Sequence, residues 1–263
     1  MTQRKCMSLL YKEMETILMK ELRLYHHPVA ITFLFTEDEV DRFREATPHV
    51  VPARPLTFCQ WEIAARMEGK TVLGEKKHLG CSAGKIAFGW AELEEDDIRA
   101  AADDFGSREV AELVLRTKPH LPLKSLKALA AGPLGRAAVP PHVVHFYCDA
   151  IQAYTLATDY MVAAKTHPLR PMICESSAAC GGAVFCHQEQ TFNLTPCCRG
   201  SYNAGKTERG EVNVFIPGMQ IGPTAERLHK RVRTTPAYTF PGADICKNCP
   251  LIEFERGSRK PKP

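Results

Sequence analysis

What the chain has little of narrows its function first. Its formal net charge is only +4 with histidines neutral, too weak a basic excess to argue for a nucleic-acid partner. No stretch approaches the roughly 18 consecutive apolar residues a membrane helix needs. At the start, MTQRKCMSLL opens on basic residues, but Lys12, Glu13 and Glu15 interrupt any apolar core of a signal peptide. Gly80–Gly84 and Gly181–Gly182 fit neither a phosphate-binding loop nor a dinucleotide fingerprint, so no nucleotide is expected. No internal repeat is visible. The expectation is a cytoplasmic protein without a membrane partner, and in that compartment thiols are kept reduced.

Against these absences stand 11 cysteines in 263 residues. Five fall between Cys174 and Cys198: Cys174, Cys180, Cys186, Cys197 and Cys198. The surrounding segment is rich in Ala, Gly and Ser, so backbone can approach whatever the sulfurs hold. Clustered thiols mean a metal or iron–sulfur site, redox chemistry, a disulfide framework, or small buried side chains. A reducing compartment sets the disulfide framework aside. A compact zinc ribbon would show two close cysteine pairs, whereas the lone C-x-x-C is Cys246–Cys249 in ICKNCP, half of a ferredoxin-type signature. The vicinal Cys197–Cys198 pair would need a strained ring to form a disulfide.

The remaining pattern predicts an α/β or α+β protein, a mixed sheet with flanking helices and cysteine-rich loops converging on one site. Apolar positions at helical spacing predict a helix over 7–24. Val29–Phe35 and Val143–Cys148 read as buried strands, with a third at Glu211–Ile216. Thr36 and Glu39 form a capping box ahead of a helix over Glu37–Ala46. Further helices are expected from Cys59 to Glu68, Asp96–Phe105, Arg108–Arg116, Ala150–Ala163 and Pro223–Val232. Residues 123–141 read as a loosely patterned connection. A single domain over 1–242 is expected, followed by a C-x-x-C segment and basic tail over 243–263.

Other donors are weaker. His187 follows Cys186, and its two readings are a member of a mixed ligand set and a surface residue. His78, three residues before Cys81, suits an outer partner better than a ligand. Asp149 and Gln152 follow the strand Val143–Cys148, where α/β proteins bind ligands. They are candidates to line a cofactor pocket, with ordinary helix capping as the other reading.

Four stretches carry a resemblance: PVAITFLF, then FCQWEIAARMEGKTVLGEKKHLGCSAG, then VVHFYCDAIQAYTLATDY, then the CCRGSY–E–IPG run ending at Gly218. Together they resemble an uncharacterised prokaryotic cysteine-containing family, domain of unknown function 169, over roughly residues 8–230. The resemblance implies recurring cysteines at Cys59, Cys81, Cys180 and Cys198. Tyr202 stands where a basic residue is frequent, and Cys174, Cys186, Cys197, Cys246 and Cys249 are additions. Four dispersed cysteines meeting at one point would suit a four-iron cluster, with a second metal site among the additions. The leading expectation is an iron–sulfur protein for electron transfer or redox chemistry on a small substrate, served by a redox partner protein. A zinc-stabilised binding module and a thiol-redox enzyme remain as alternatives.

Overall fold

The computed structural model describes residues 3–234, with side chains placed for 10–231. Cys246, Cys249 and the whole 243–263 segment lie outside the described residues, as does the side chain of Cys6.

Local signals set most elements. The chain runs α1 (Gln3–Leu22), β1 (Val29–Leu34) and α2 (Glu37–Ala46). Thr36 caps α2 with Glu39 closing the box, as the sequence pattern predicts. A second capping box, Thr57 with Gln60, starts α3 (Phe58–Arg66). Next come β2 (Val72–Gly74), α4 (Ser82–Ala87), α5 (Glu95–Phe105) and α6 (Arg108–Thr117). Then follow β3 (Ala128–Pro133), β4 (Val143–Cys148), α7 (Ala150–Ala164) and α8 (Ala178–Glu189). The last are β5 (Asn193–Pro196), α9 (Arg199–Ala204), β6 (Val212–Pro217) and α10 (Ile221–Thr234).

The six strands form one sheet in the order β2-β3-β1-β4-β6-β5. Every pairing between named strands is antiparallel, and parallel contact occurs in isolated bridges such as Val50 with Val72. The protein is thus α+β, with helices on both faces. Residues 123–141 are no mere connection, because β3 lies within them, fully buried and paired along all six residues of β1. Its sequence ALAAGP has no β-branched residue, so nothing local announces a strand.

Alternation along the strands divides the core in two. Val29, Ile31 and Phe33 of β1, Val143 of β4 and Phe215 of β6 pack under α3, α4 and α8. Ala30, Val144, Phe146, Cys148, Val214 and Ile216 pack under α1, α7 and α10 on the opposite face. That far layer is locked by Arg231 of α10, whose guanidinium donates to both carboxylate oxygens of Asp159 on α7 at 2.8 Å. Cys148 therefore belongs to the far face. On the near face, Gly182 lets α8 lie against the Phe215 ring, where a Cβ would have no room.

Candidate functional site

The near face is where the thiols gather, and they do so at helix starts rather than in loops. Cys59 is the second residue of α3, Cys81 is the N-cap of α4, Cys180 is the third residue of α8, and Cys198 is the N-cap of α9. The Ser201 hydroxyl lies 3.9 Å from Cys59 Sγ and 3.5 Å from Cys198 Sγ, joining those two. Gly84 joins the other two. A Cβ there would stand 3.5 Å from Cys180 Sγ and 3.8 Å from the Cys81 Cβ.

Electrostatics ties the pairs together. Burial pushes the Cys180 thiol well up, and Cys59, Cys81 and Cys198 add to the shift. Burial likewise raises Cys59, with Glu62, Cys198 and Cys81 contributing. Each shift says the same thing: an extra negative charge among these thiols is costly unless a cation shares the site. Cys81 is the half-buried member of the four, and the other three are buried.

Among the described residues, the additional cysteines Cys174, Cys186 and Cys197 do not gather at one point. Cys174 packs against Cys198 and Ala178 at the edge of the first group, its thiol pushed up to about 11 by burial. Cys197 faces the other way, near Thr207 and Glu211, and burial raises it to about 12. Cys186 sits in the apolar core, raised by burial alone. The expected second site, Cys246 and Cys249 completed by some of Cys174, Cys186 and Cys197, lies partly outside the described residues, and within them those three cysteines occupy three different surroundings. Among the described residues no group of three or more His, Cys, Asp or Glu side chains is spaced to grip a single metal ion.

The other candidates are spent elsewhere. Asp149 caps α7, accepting from the N–H groups of Ile151 and Gln152 at 2.8 Å, and Gln152 donates to the Leu22 carbonyl at 2.8 Å. Capping is thus the role their hydrogen bonds express. His78 accepts from the Glu75 N–H at 3.0 Å, closing the turn before Cys81. His187 turns toward aromatic rings, with centroids 4.8 Å from Phe33, 5.9 Å from Phe35 and 5.0 Å from His142.

His187 has a consequence for stability. Burial, then the neighbouring His142, lowers its pKa to about 4. An unfolded imidazole titrates near 6.5. Between those values the unfolded chain binds more protons, so stability present above about pH 6.5 is lost as pH falls toward 4. His187→Phe should flatten that slope, read from urea midpoints across the range. Parallel curves for the two proteins would refute the assignment.

One part of the site was not foreseen. Glu62, one turn after Cys59, is fully buried. Its Oε1 lies 2.6 Å from His145 Nδ1, and its Oε2 accepts from the Tyr147 hydroxyl at 2.6 Å. His145 Nε2 stands 3.0 Å from Asn213 Oδ1. The Asn213 amide is oriented by its Nδ2, which donates to the Pro196 carbonyl at 3.3 Å, so its oxygen faces the ring. His145 thus bridges Asn213 and the Glu62 carboxyl group, in a buried hydrogen-bonded set one helical turn from a thiol. Arg66 covers it, its guanidinium 4.2 Å from the Tyr147 ring centroid while Nη2 donates to the carbonyls of Gly205 and Lys206 at 2.6 and 2.8 Å. Two signals in the sequence mark this unit: a histidine inside the apolar strand VVHFYC, and Glu62 with Arg66 at helical spacing on a buried face.

No curated protein and no solved structure matches the chain. Residues 17–227 match the family model of DUF169, described as uncharacterised ArCR, and the chain belongs to that family.

Proposed function

We propose that the protein is an iron–sulfur protein whose four-iron cluster is held by Cys59, Cys81, Cys180 and Cys198. The observation that carries this reading is the convergence of four sulfur donors from four separate helix starts, spread over 140 positions of sequence, into one electrostatic group. Four thiolates are also the usual ligand set of a four-iron cluster. Burial argues against thiol-redox chemistry, since a reactive cysteine needs a lowered pKa and Cys59, Cys174, Cys180 and Cys197 are all raised. Metal binding releases the protons that burial holds on these thiols.

When bound, such a cluster supplies one-electron chemistry. The chain's own residues set its surroundings. The Ser201 hydroxyl lies 3.9 and 3.5 Å from two of the sulfurs, the helix starts of α3 and α8 leave N–H groups without intrahelical partners, and the apolar near-face core excludes water. The hydrogen-bonded Glu62–His145 pair lies one helical turn from Cys59. For redox work on a small substrate, a cavity of about 230 Å³ lies beside Cys81, lined among others by Ser82, Ile86, Leu115, Lys118 and Ser177. A zinc-stabilised binding module is the competing reading.

Protein purified without oxygen should be brown, with iron and acid-labile sulfide at about four each per chain. Stoichiometric zinc without sulfide would replace this reading with the binding module.

A further inference from the structure

The half-buried thiol of the group is Cys81, and the chain on both sides of it is rich in lysine. Lys76 and Lys77 lie in the turn just before it, and Lys85 follows one helical turn later, its N–H bonded to the Cys81 carbonyl at 3.0 Å. With Lys124 and Lys127 these line a single open groove of about 570 Å³ whose floor includes Trp90 and Leu126, and Glu75 is the one carboxylate lining it. Lys77 pairs with Glu75 at 3.3 Å and Lys127 with Glu37 at 3.9 Å. Among the described residues no carboxylate pairs with Lys76, Lys85 or Lys124.

We propose that this lysine groove is the docking surface for an acidic electron-transfer protein, which exchanges electrons through the Cys81 edge of the site. The inference rests on the iron–sulfur reading above. Its argument is charge complementarity joined to position. Electron-transfer encounters use small, short-lived interfaces, so recruitment depends on opposite fields rather than buried area. The groove's lining sets five ammonium groups against one carboxylate, and Lys85 stands one helical turn from Cys81, the half-buried thiol of the four. An electron passes from the reduced partner to the oxidised cluster, or in reverse where the potentials run that way, and no other reactant is required.

A plant-type two-iron ferredoxin serves as the acidic probe. Stopped-flow transfer, run in the downhill direction, should slow at least tenfold as salt rises from about 50 to 500 mM, because screening shortens the reach of the groove's field. Lys76→Glu with Lys124→Glu should slow it at least tenfold at low salt without changing iron content. Lys20→Glu with Lys165→Glu makes the same net charge change on α1 and after α7, across the sheet, and should leave the rate within about twofold. Equal slowing by the two double variants, or none by the groove variant, would overturn the proposal. Retention on immobilised ferredoxin at low salt needs no cluster, and there the groove variant should elute ahead of the control. Co-elution of the two sinks the docking surface, whereas a metal analysis without iron sinks the cluster reading and leaves retention as the measure of docking. A single-stranded oligonucleotide that displaces ferredoxin from wild-type protein at lower concentration than free ferredoxin does would assign the groove to nucleic acid instead.

Discussion

With the proposed four-iron cluster in place, Cys59→Ser, Cys81→Ser, Cys180→Ser and Cys198→Ser should each cost the protein most of the iron and sulfide that cluster would bring. Each removes one of the four proposed sulfur donors. Loss of an outer partner of a metal ligand already costs roughly 10–100-fold in affinity, so loss of a ligand should exceed that. Cys180→Ser should be the most severe, since its thiol is fully buried and takes the field of the other three. Cys148→Ser is the sharp control. Cys148 is also buried, but it ends β4 pointing to the opposite face of the sheet, among Val144, Phe146 and Val214. Its serine variant should keep its iron and lose only stability. Bleaching of the Cys148→Ser protein with retention by the Cys180→Ser protein would place the cluster on the wrong side of the sheet. Cys174→Ser should fall between these limits, because Cys174 packs on Cys198 without joining the central group.

How much of this was legible follows from where each signal lives. The helix over Glu37–Ala46 and the strand Val143–Cys148 were readable because a capping box and a β-rich apolar run are local. The strand Ala128–Pro133 was hidden because only its neighbours on both sides make Ala-rich backbone into sheet. The helix Ala178–Glu189 was hidden for the opposite reason: Gly181 and Gly182 read as loop, yet Gly182 is what lets the helix touch Phe215. The four central cysteines came from the family resemblance, not from spacing, since the fold rather than a local motif brings them together. The Glu62–His145 contact joins positions 83 apart, and pairing at that separation leaves no periodic trace. What the sequence does show is a polar residue in an apolar element, which demands a partner without naming it.

Arg66→Met should lower stability by about 3–5 kcal/mol, the usual result of removing one member of a buried charged set. The Arg66 side chain is buried, and its Nη2 holds the carbonyls of Gly205 and Lys206 at the end of α9. Hydrogen bonds from a charged donor are worth about 1.5–3 kcal/mol each, and the buried Gly205 carbonyl would be left unpaired. The guanidinium also lies over Tyr147, a desolvated contact worth about 2 kcal/mol. Methionine replaces the aliphatic bulk but none of this. Against the loss stands a partial offset, because Nε and Nη1 of Arg66 have no hydrogen-bond partner. The local effect reaches the thiols. Gly205 packs so close to Cys59 that a Cβ on it would stand 3.0 Å from the Cys59 Cβ, and the same short helix carries Ser201 and begins at Cys198. Release of α9 should therefore loosen the Cys59–Ser201–Cys198 contact and lower iron content along with stability. Arg66→Lys keeps the charge but not the two-pronged donor, and should sit between wild type and Arg66→Met. Urea unfolding monitored by far-ultraviolet circular dichroism, with iron analysis of the same samples, tests both parts. A midpoint shift equivalent to less than about 1 kcal/mol at unchanged slope would mean that Arg66 does not hold α9 in place.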